Sequence, residues 1–423
     1  MKKVLVITYY WPPAGGPGVQ RWLKFVKYFR GFGVEPIVYI PKNPHYPLKD
    51  ASLFKDVSKD VKILEHIIFE PYGLSKWVSG KKTERISSGV ITEKNQSVLE
   101  RIMLWVRGNF FIPDARKFWV NPSVEFLAPL LKKEAIETII TTGPPHSVHL
   151  IGLKLKERSG LQWIADFRDP WTSIGYHKKL KLTASAKKKH KQLEQKVLNT
   201  ADKIVVTSKT TKQEFQSLTS KPIKVITNGF EMGERKPVTL DEKFTIAHIG
   251  SMLTKRNPLN LWKVLGELVQ EHADFKDSLQ LNFVGVVGQD ILDSLTEFGI
   301  REYARILGYV PHEEAVSFQH RSQVLLLVEI DSKETIGIIP GKFFEYLRAK
   351  RPILGIGPAH WEVAEMISET ASGQFFDYAN EYELKSVLLN WFQRYKNNSL
   401  KVSAINIERY SRQELTRQFA DYI

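Results

Sequence analysis

The feature that most constrains this chain is a repeated order: a short apolar run, then a turn-rich segment, then a helical pattern. Residues 4–10 form a β-rich run that the proline- and glycine-rich residues 12–18 end abruptly. Apolar residues at three- and four-residue spacing then mark a helix, which Gly31 and Gly33 end before a second run at 35–40. This order predicts a βαβ unit built on a buried parallel strand.

The same order recurs along the rest of the chain. Further strand-like runs occupy residues 138–141, 162–165, 203–207, 224–226, 244–249, 279–284, 304–307, 324–328 and 352–356. The pattern predicts an α/β protein of two Rossmann-like doubly wound domains that face a central cleft. We expect these domains at residues 1–235 and 236–395, with a linker near 231–241. A helical tail, residues 396–423, could cross back to the first domain.

Composition sets further limits. A chain of 423 residues can bury two cores without metals or disulfides, and the absence of cysteine excludes thiolate metal sites and cysteine nucleophiles. The first apolar run is too short for a signal peptide, and no apolar stretch reaches the roughly 20 residues of a spanning helix. We therefore expect a cytoplasmic protein, peripheral on the inner face of the membrane if it binds one.

The formal net charge of +15 calls for a polyanionic partner. One basic cluster comprises Lys178, Lys179, Lys181, Lys187, Lys188, Lys189, His190 and Lys191. A second cluster mixes Arg101, Arg107, Arg116 and Lys117 with Ile102, Met103, Leu104, Trp105, Phe110, Phe111, Phe118 and Trp119. Basic residues among bulky apolar ones suit an anionic membrane surface, and a solvated basic face is the alternative. We expect no nucleic acid as partner, because no reading motif is present.

A glycine loop follows the first strand. Gly15, Gly16 and Gly18 open the first helix, so backbone N–H groups and the helix N-terminus can approach a phosphate or carboxylate. The spacing fits neither the dinucleotide fingerprint nor a P-loop. A plain structural turn is the alternative reading.

A matching loop follows the first strand of the second domain. Gly250 and Ser251 begin it, and Lys255 and Arg256 come just past the turn. Departure of a nucleoside diphosphate develops negative charge that fixed cations stabilise, so we predict Arg256 first and Lys255 second as phosphate contacts. An exposed, solvated Lys-Arg pair is the alternative.

A third motif begins at Gly341. Lys342 and Glu345 lie three residues apart on one predicted helix, on one face near the carboxyl edge of the sheet, and suit a diphosphate and a diol. This stretch resembles the donor-site segment of glycosyltransferase family 4, a GT-B family. The resemblance implies that Glu345 accepts hydrogen bonds from the donor ribose. It also implies retaining transfer from a nucleotide-diphosphate sugar, with no metal and no cofactor.

The resemblance covers nearly the whole chain. The Gly15–Gly16 loop, the Asn228–Gly229 turn and the 250–256 segment are similar to elements of the family. Two positions depart from its pattern: Gly337 stands where a sugar-contacting glutamate is common, and Ser251 where arginine often follows the glycine. We therefore expect phosphate contact to depend on Arg256. Sugar recognition is expected from the backbone or from one of Glu329, Lys333 and Thr335.

Two loops of the first domain carry the predicted catalytic residues. Arg168 and Asp169 stand in the loop where many family members have a histidine, and His146 lies in an adjoining loop. Asp169 could orient or deprotonate an acceptor hydroxyl, and Arg168 could bind an acceptor phosphate. An ion pair that caps a helix is the alternative for Arg168 and Asp169, and local hydrogen bonding is the alternative for His146.

Together these features predict a glycosyltransferase that uses a nucleotide-sugar donor. We expect a glycan or lipid-linked acceptor, in the synthesis of cell-surface polysaccharide or glycolipid. The alternative is a catalytically inactive GT-B-like protein that binds a nucleotide sugar or glycan, which the glycine at position 337 motivates.

Overall fold

The computed structural model describes residues 1–70, 98–178, 180–233, 238–253 and 255–423. They divide into two compact units. The first unit is Met1–Thr227 together with Arg412–Ile423, and the second unit is Asn228–Ser411. Each unit is a parallel sheet flanked by helices. The predicted class of two Rossmann-like domains is confirmed.

Within the described residues, the sheet of the first unit has seven parallel strands in the order β3-β2-β1-β4-β5-β6-β7. They are β1 (Lys2–Ile7), β2 (Val34–Lys42), β3 (Lys62–Ile67), β4 (Thr138–Gly143), β5 (Gln162–Phe167), β6 (Lys203–Val206) and β7 (Ile223–Val225). Chain order reverses between the neighbours β1 and β4. In a doubly wound sheet this reversal leaves a crevice at the carboxyl ends of the two strands, which is the usual ligand position.

Helices flank this sheet. They are Pro17–Phe29, Val98–Phe110, Val120–Lys133, Ser147–Ser159, Gly175–Lys178, Ala184–Thr200, Lys209–Gln216 and Arg412–Ala420. The last of them packs on the first through buried rings. Phe419 lies 5.4 Å from Trp22 and 5.2 Å from Phe25, between ring centroids. The chain terminus therefore belongs to the core of the first unit.

The second unit repeats this plan. Its described strands form a six-stranded parallel sheet in the order β10-β9-β8-β11-β12-β13. They are β8 (Phe244–Ile249), β9 (Leu279–Val284), β10 (Ala304–Gly308), β11 (Val324–Val328), β12 (Ile353–Gly357) and β13 (Gly373–Asp377). Its helices are Leu259–Glu271, Ala273–Ser278, Gln289–Glu297, His312–Arg321, Gly341–Ala349, Glu362–Glu369 and Tyr382–Lys396. Here the order reverses between β8 and β11.

Two strands were not predicted, and both lie at sheet edges. β3 pairs only with β2 among the described strands, and its residues are exposed or half-buried. β13 likewise pairs only with β12 and holds a single buried residue. An edge strand buries less of its surface than a central one, so it lacks the apolar run by which the central strands were found.

The unit boundaries differ from the predicted limits of 235 and 395. The first division falls between Thr227 and Asn228, and the second between Ser411 and Arg412. Residues after the helix Tyr382–Lys396 stay with the second unit because Ile407 and Tyr410 pack in one of its cores. Residues 234–237 of the predicted linker lie outside the described residues.

No helix among the described residues combines the length and the apolar character that crossing a bilayer requires.

Candidate functional site

The loop after β8 holds the first element of the candidate site. Gly250 has a φ of +105°, a conformation that glycine adopts without the steric cost of a side chain. Its N–H donates to the carbonyl oxygen of Val284 at 2.7 Å, which ties the loop to β9. The loop therefore turns sharply at the reversal point of the sheet.

Lys342 lies directly against this loop. It is the second residue of the helix Gly341–Ala349, which Gly341 begins. A Cβ atom at Gly250 would lie 2.8 Å from the Nζ atom of Lys342 and 3.2 Å from its Cε atom. The glycine thus provides both the turn and the space for the lysine. Two residues predicted for one site, 92 positions apart, are brought into contact.

The ammonium of Lys342 has a partner that the sequence analysis missed. His248, on β8, is buried, and its Nε2 atom lies 3.1 Å from Nζ of Lys342. Its Nδ1 atom lies 3.0 Å from the carbonyl oxygen of Leu326 on β11. A carbonyl only accepts, so Nδ1 carries the proton and Nε2 accepts from the ammonium. Burial, followed by the charge of Lys342, holds the pKa of His248 well below its usual range.

The pKa of Lys342 is lowered to about 8. Burial is the main cause and the positive charge of Arg256 is the next, while Glu329 and Glu345 oppose the shift. The lysine is therefore mostly charged at pH 7 and loses its proton just above that.

Arg256, predicted as the first phosphate contact, is engaged by a carboxylate. Its guanidinium lies 2.9 Å and 3.2 Å from the two oxygens of Glu329, which is buried at the end of β11. The backbone N–H of Ile330 also donates to Glu329, at 2.8 Å. The charge of Arg256 is thus balanced within the protein, whereas that of Lys342 rests on a neutral imidazole. Ser251 and Lys255 are exposed.

Glu345 lies one helical turn after Lys342 and is half-buried. Its Oε2 atom accepts a hydrogen bond of 2.7 Å from the side-chain amide of Gln319, on the helix His312–Arg321. Gln319 itself is buried, so the amide holds the carboxylate in one orientation. Gln319 was not predicted, because nothing in the local sequence pattern links it to Glu345, 26 positions away.

Of the residues expected to replace the glutamate missing at position 337, two are engaged. Glu329 binds Arg256, and the hydroxyl of Thr335 donates toward the carbonyl oxygens of Ile330 at 2.6 Å and Ser332 at 2.8 Å. Lys333 is exposed.

The glycine loop of the first unit occupies the equivalent place after β1. The N–H of Gly15 donates to the carbonyl oxygen of Leu48 at 2.9 Å, and Gly16 has a φ of +96°. A Cβ atom at Gly18 would lie 1.6 Å from a terminal nitrogen of Arg168. The guanidinium therefore rests on the first turn of the helix Pro17–Phe29.

Arg168 and Asp169 form an ion pair with 3.3 Å between Nε and Oδ2. The pair is partly exposed, with the Asp169 side chain 39% accessible. The side chain of the neighbouring Asp166, in contrast, is not exposed to solvent. It is buried and accepts hydrogen bonds from Arg21 at 2.8 Å and Trp22 at 2.8 Å, which makes it a core residue.

His146 lies in the loop that follows β4, directly before the helix Ser147–Ser159. Its ring stacks on Trp171 with 4.9 Å between centroids and 4° between planes, and it is buried. Burial, with His149 and Arg168 as further causes, holds its pKa well below the usual range, so the ring is neutral. The structure gives this histidine a packing role. Its predicted catalytic role stays a prediction.

Parts of both predicted basic clusters are not at the surface. Arg116 is buried, 3.2 Å from Glu70 and 4.8 Å above the ring of Tyr9, because an arginine in the interior needs a charged partner. Trp119 and Leu104 are core residues as well. In the other cluster, His190 is buried and accepts from Trp171, and Lys179 lies outside the described residues.

What remains exposed is a mixed apolar and basic surface, which we call the aromatic-basic surface. Its exposed members are Ile102, Trp105, Phe110, Phe118, Arg101, Lys181, Lys187, Lys188, Lys189 and Lys191, and the half-buried Lys117 lies among them. Among the described residues, no group of three or more His, Cys, Asp or Glu side chains is arranged to hold a metal ion.

Solved structures with the same architecture were found, whereas no family model and no curated protein matched the sequence. A glycosyltransferase from Rickettsia africae aligns over 100% of this chain and 97% of its own, with a TM-score of 0.58 and 13% identity. Anabaena HepE, solved in complex with UDP, aligns over 100% and 99%, with a TM-score of 0.55 and 12% identity. A putative UDP-N-acetylglucosamine 2-epimerase from Listeria monocytogenes aligns over 99% and 95%, at 0.53 and 13%.

The chain has a GT-B fold. At 12 to 13% identity the likeness is one of fold, and it extends over the full length of both units. In this GT-B chain, Gly250, Lys342 and Glu345 meet at the reversal point of the second sheet. In the first unit, Arg168 lies against Gly18, at the start of the helix that follows β1.

Proposed function

We propose that the chain is a glycosyltransferase that moves a sugar from a nucleotide-diphosphate donor to a glycan or lipid-linked acceptor, with retention and without a metal ion. The observation that carries the proposal is the contact of Lys342 with the positive-φ turn at Gly250. The reversal point of a doubly wound sheet is where such folds bind nucleotides, and a preplaced cation there suits a diphosphate.

Each donor-site residue has a separate task in this proposal. Lys342 and the N-terminus of its helix stabilise the charge that develops on the diphosphate as the sugar leaves. Glu345, held by Gln319, accepts hydrogen bonds from the ribose diol. Arg256 acts indirectly in this proposal. Its positive charge lowers the pKa of Lys342, and it forms an ion pair with Glu329.

The first unit supplies the acceptor residues. Arg168 binds an anionic group of the acceptor, and Asp169 orients the attacking hydroxyl. His146 stacks on Trp171 and so supports the loop that carries Arg168 and Asp169. The partial exposure of the Arg168–Asp169 pair supports this assignment.

Thermal shift with UDP, ADP, GDP and the matching nucleotide sugars tests donor binding. One nucleotide series should raise the melting temperature, because a ligand that binds only the folded chain stabilises it. Lys342→Met and Glu345→Gln should each reduce that shift. Lys401→Met, at an exposed lysine of the same unit, is the matched control and should not. An equal shift in all four proteins would contradict the assigned donor site.

Transfer is then measured with the radiolabelled form of the donor that binds. Label should pass to a glycan or lipid-linked acceptor, or to water at a slow rate. Binding without either result supports the inactive, sugar-binding alternative. Recovery of an epimerised sugar would contradict transfer, and the fold shared with an epimerase makes this outcome worth measuring.

We also propose that the first unit meets an anionic membrane through the aromatic-basic surface. Trp105 and Phe110 are 41% and 59% exposed, and aromatic rings beside lysines suit the headgroup region. Wild-type protein should float with liposomes that contain phosphatidylglycerol, and the Trp105→Ser/Phe110→Ser variant should float less. Tyr382→Ser, at an exposed ring of the second unit, is the control. Equal flotation of all three proteins would count against this surface.

A further inference from the structure

We infer that His248 is a positioning residue that holds the ammonium of Lys342 against the Gly250 turn, so that a nucleoside diphosphate meets a cation already in place. The inference rests on the proposed function, because the anion is the diphosphate of the donor. It concerns a residue that lies on the central strand and was not identified from the sequence.

The geometry leaves the imidazole little freedom. Leu326, on the neighbouring strand, accepts from Nδ1 at 3.0 Å, and Lys342 donates to Nε2 at 3.1 Å. The ring is buried, and the backbone of Ser251 also approaches it. Nδ1 is therefore held by the neighbouring strand β11, and Nε2 faces the helix Gly341–Ala349 that carries Lys342. A buried ring with both nitrogens bonded fixes the position of whatever it binds.

A neutral acceptor has an advantage over a carboxylate here. Glu329 holds Arg256 through two oxygens and at the same time balances its charge. His248 holds Lys342 through one nitrogen and leaves its positive charge available to a ligand. An ammonium that is oriented but not neutralised is the arrangement in which an incoming phosphate gains most.

Four groups act on the charge of Lys342. Arg256 faces it from the loop after β8, Glu329 from the end of β11, and Glu345 from its own helix, while His248 lies on β8. With a pKa of about 8, Lys342 loses its proton as the pH rises through 8. Affinity for a nucleotide sugar, whose doubly esterified diphosphate keeps its charge across this range, should therefore be constant below about pH 7 and should fall up to tenfold per pH unit above 8.

Removal of His248 should alter the lysine even without ligand. A hydrogen bond to an ammonium favours its charged form, so loss of the bond lowers the pKa of Lys342 further. His248→Leu removes the acceptor and retains an apolar side chain. His248→Gln keeps a side-chain oxygen that can accept, and serves as the conservative variant.

The first measurement uses the full-length protein without ligand. Acetylation of Lys342 by acetic anhydride is followed across pH 6 to 10 by mass spectrometry, with exposed Lys401 as the reference in the same digest. Wild-type reactivity should rise with a midpoint near pH 8, because the pKa of Lys342 is about 8. The midpoint should move to lower pH in His248→Leu and return toward wild type in His248→Gln. Identical midpoints in wild type and His248→Leu, with both proteins folded by circular dichroism, would overturn the inference.

The second measurement uses inorganic pyrophosphate as the probe, by calorimetry at pH 7 and pH 9. His248→Leu should bind it about tenfold more weakly at pH 7, as expected for one charge-assisted hydrogen bond, and His248→Gln should recover most of the loss. Equal affinity of wild type and His248→Leu would again overturn the inference. The two measurements also separate this inference from the proposed function. If the acetylation midpoint shifts but no protein binds pyrophosphate or a nucleotide, the His248–Lys342 pair is supported and the proposed function is overturned.

Discussion

The two glycine loops of this chain share a position and differ in what surrounds them. Each follows the first strand of its sheet, beside the strand at which the order reverses, and each contains a glycine of positive φ, Gly16 or Gly250. Gly16 has only a methyl group of Leu48 near the place of a Cβ, at 3.9 Å. Gly250 has the ammonium of Lys342 at 2.8 Å.

The sheet topology thus places a turn at the same position in both units, while side chains from distant parts of the chain determine the charge beside that turn. In the first unit the nearby cation, Arg168, is paired with the partly exposed Asp169. In the second unit the roles are divided: Arg256 is neutralised by Glu329, and Lys342 keeps its charge beside His248. A phosphate therefore has more to gain at the second loop.

The largest effect is expected at the Arg256–Glu329 pair. Arg256→Met leaves a buried carboxylate without its partner and should lower the free energy of unfolding by about 3 kcal/mol. The double variant Arg256→Met/Glu329→Gln removes the stranded charge and should recover much of that loss. Urea unfolding of the three proteins measures both values. A single variant as stable as wild type would show that the pair is not a fixed part of the second unit.

Replacement of each glycine by alanine tests the difference between the two loops directly. Gly16→Ala and Gly250→Ala both place a side chain on a positive-φ backbone and should each cost about 1–2 kcal/mol of stability. Only Gly250→Ala also displaces Lys342, so it alone should weaken pyrophosphate binding, by about tenfold. Calorimetry and urea unfolding separate the two effects. Equal loss of binding in both variants would remove the proposed difference between the loops.

The stability of the first unit and ligand binding by the second unit should respond to pH in different ranges. Burial lowers the pKa of His149 to about 3 and that of His177 to about 4, both in the first unit. Unfolded histidine takes up its proton near pH 6.5, so this stability is present above 6.5 and is lost as the pH falls toward the folded-state pKa.

Each of these histidines should contribute a slope of about 1.4 kcal/mol per pH unit below pH 6. Urea unfolding at pH 7.5, 6 and 5 measures the slope, and His177→Phe should flatten it. The Lys342 site should instead change near pH 8, in ligand binding. A slope that His177→Phe leaves unaltered would mean that this ring is not held neutral by burial.

The smallest effect on stability is expected at the first loop. Arg168→Met breaks an ion pair whose carboxylate is 39% exposed, so unfolding should change by less than about 1 kcal/mol. Donor binding should be unchanged, because Arg168 lies against the first glycine loop and the donor is assigned to the second, whereas transfer to an acceptor should fall. Thermal shift and the radiolabel assay give the two values. A loss of donor binding as large as that of Lys342→Met would assign the donor to both loops.

The sequence by itself determined the α/β class, the two-unit organisation and most central strands. β8, β9 and β11 begin and end where they were predicted, because a strand buried on both faces is predominantly apolar and is bounded by turn residues. Both glycine loops could be located for a similar reason, since a glycine-rich turn straight after such a run is a local signal.

Only the tertiary structure decided which charges are available. His248 reads as one polar residue within an apolar strand, and its partner Lys342 is 94 positions away. In the sequence Arg116 belongs to a basic cluster that predicts a surface, but in the structure it is buried and paired with Glu70. Strand periodicity is set by each residue and its near neighbours along the chain. The charge of a site depends instead on which side chains from distant parts of the chain are buried beside it. That set of neighbours is established only when the sheet assembles.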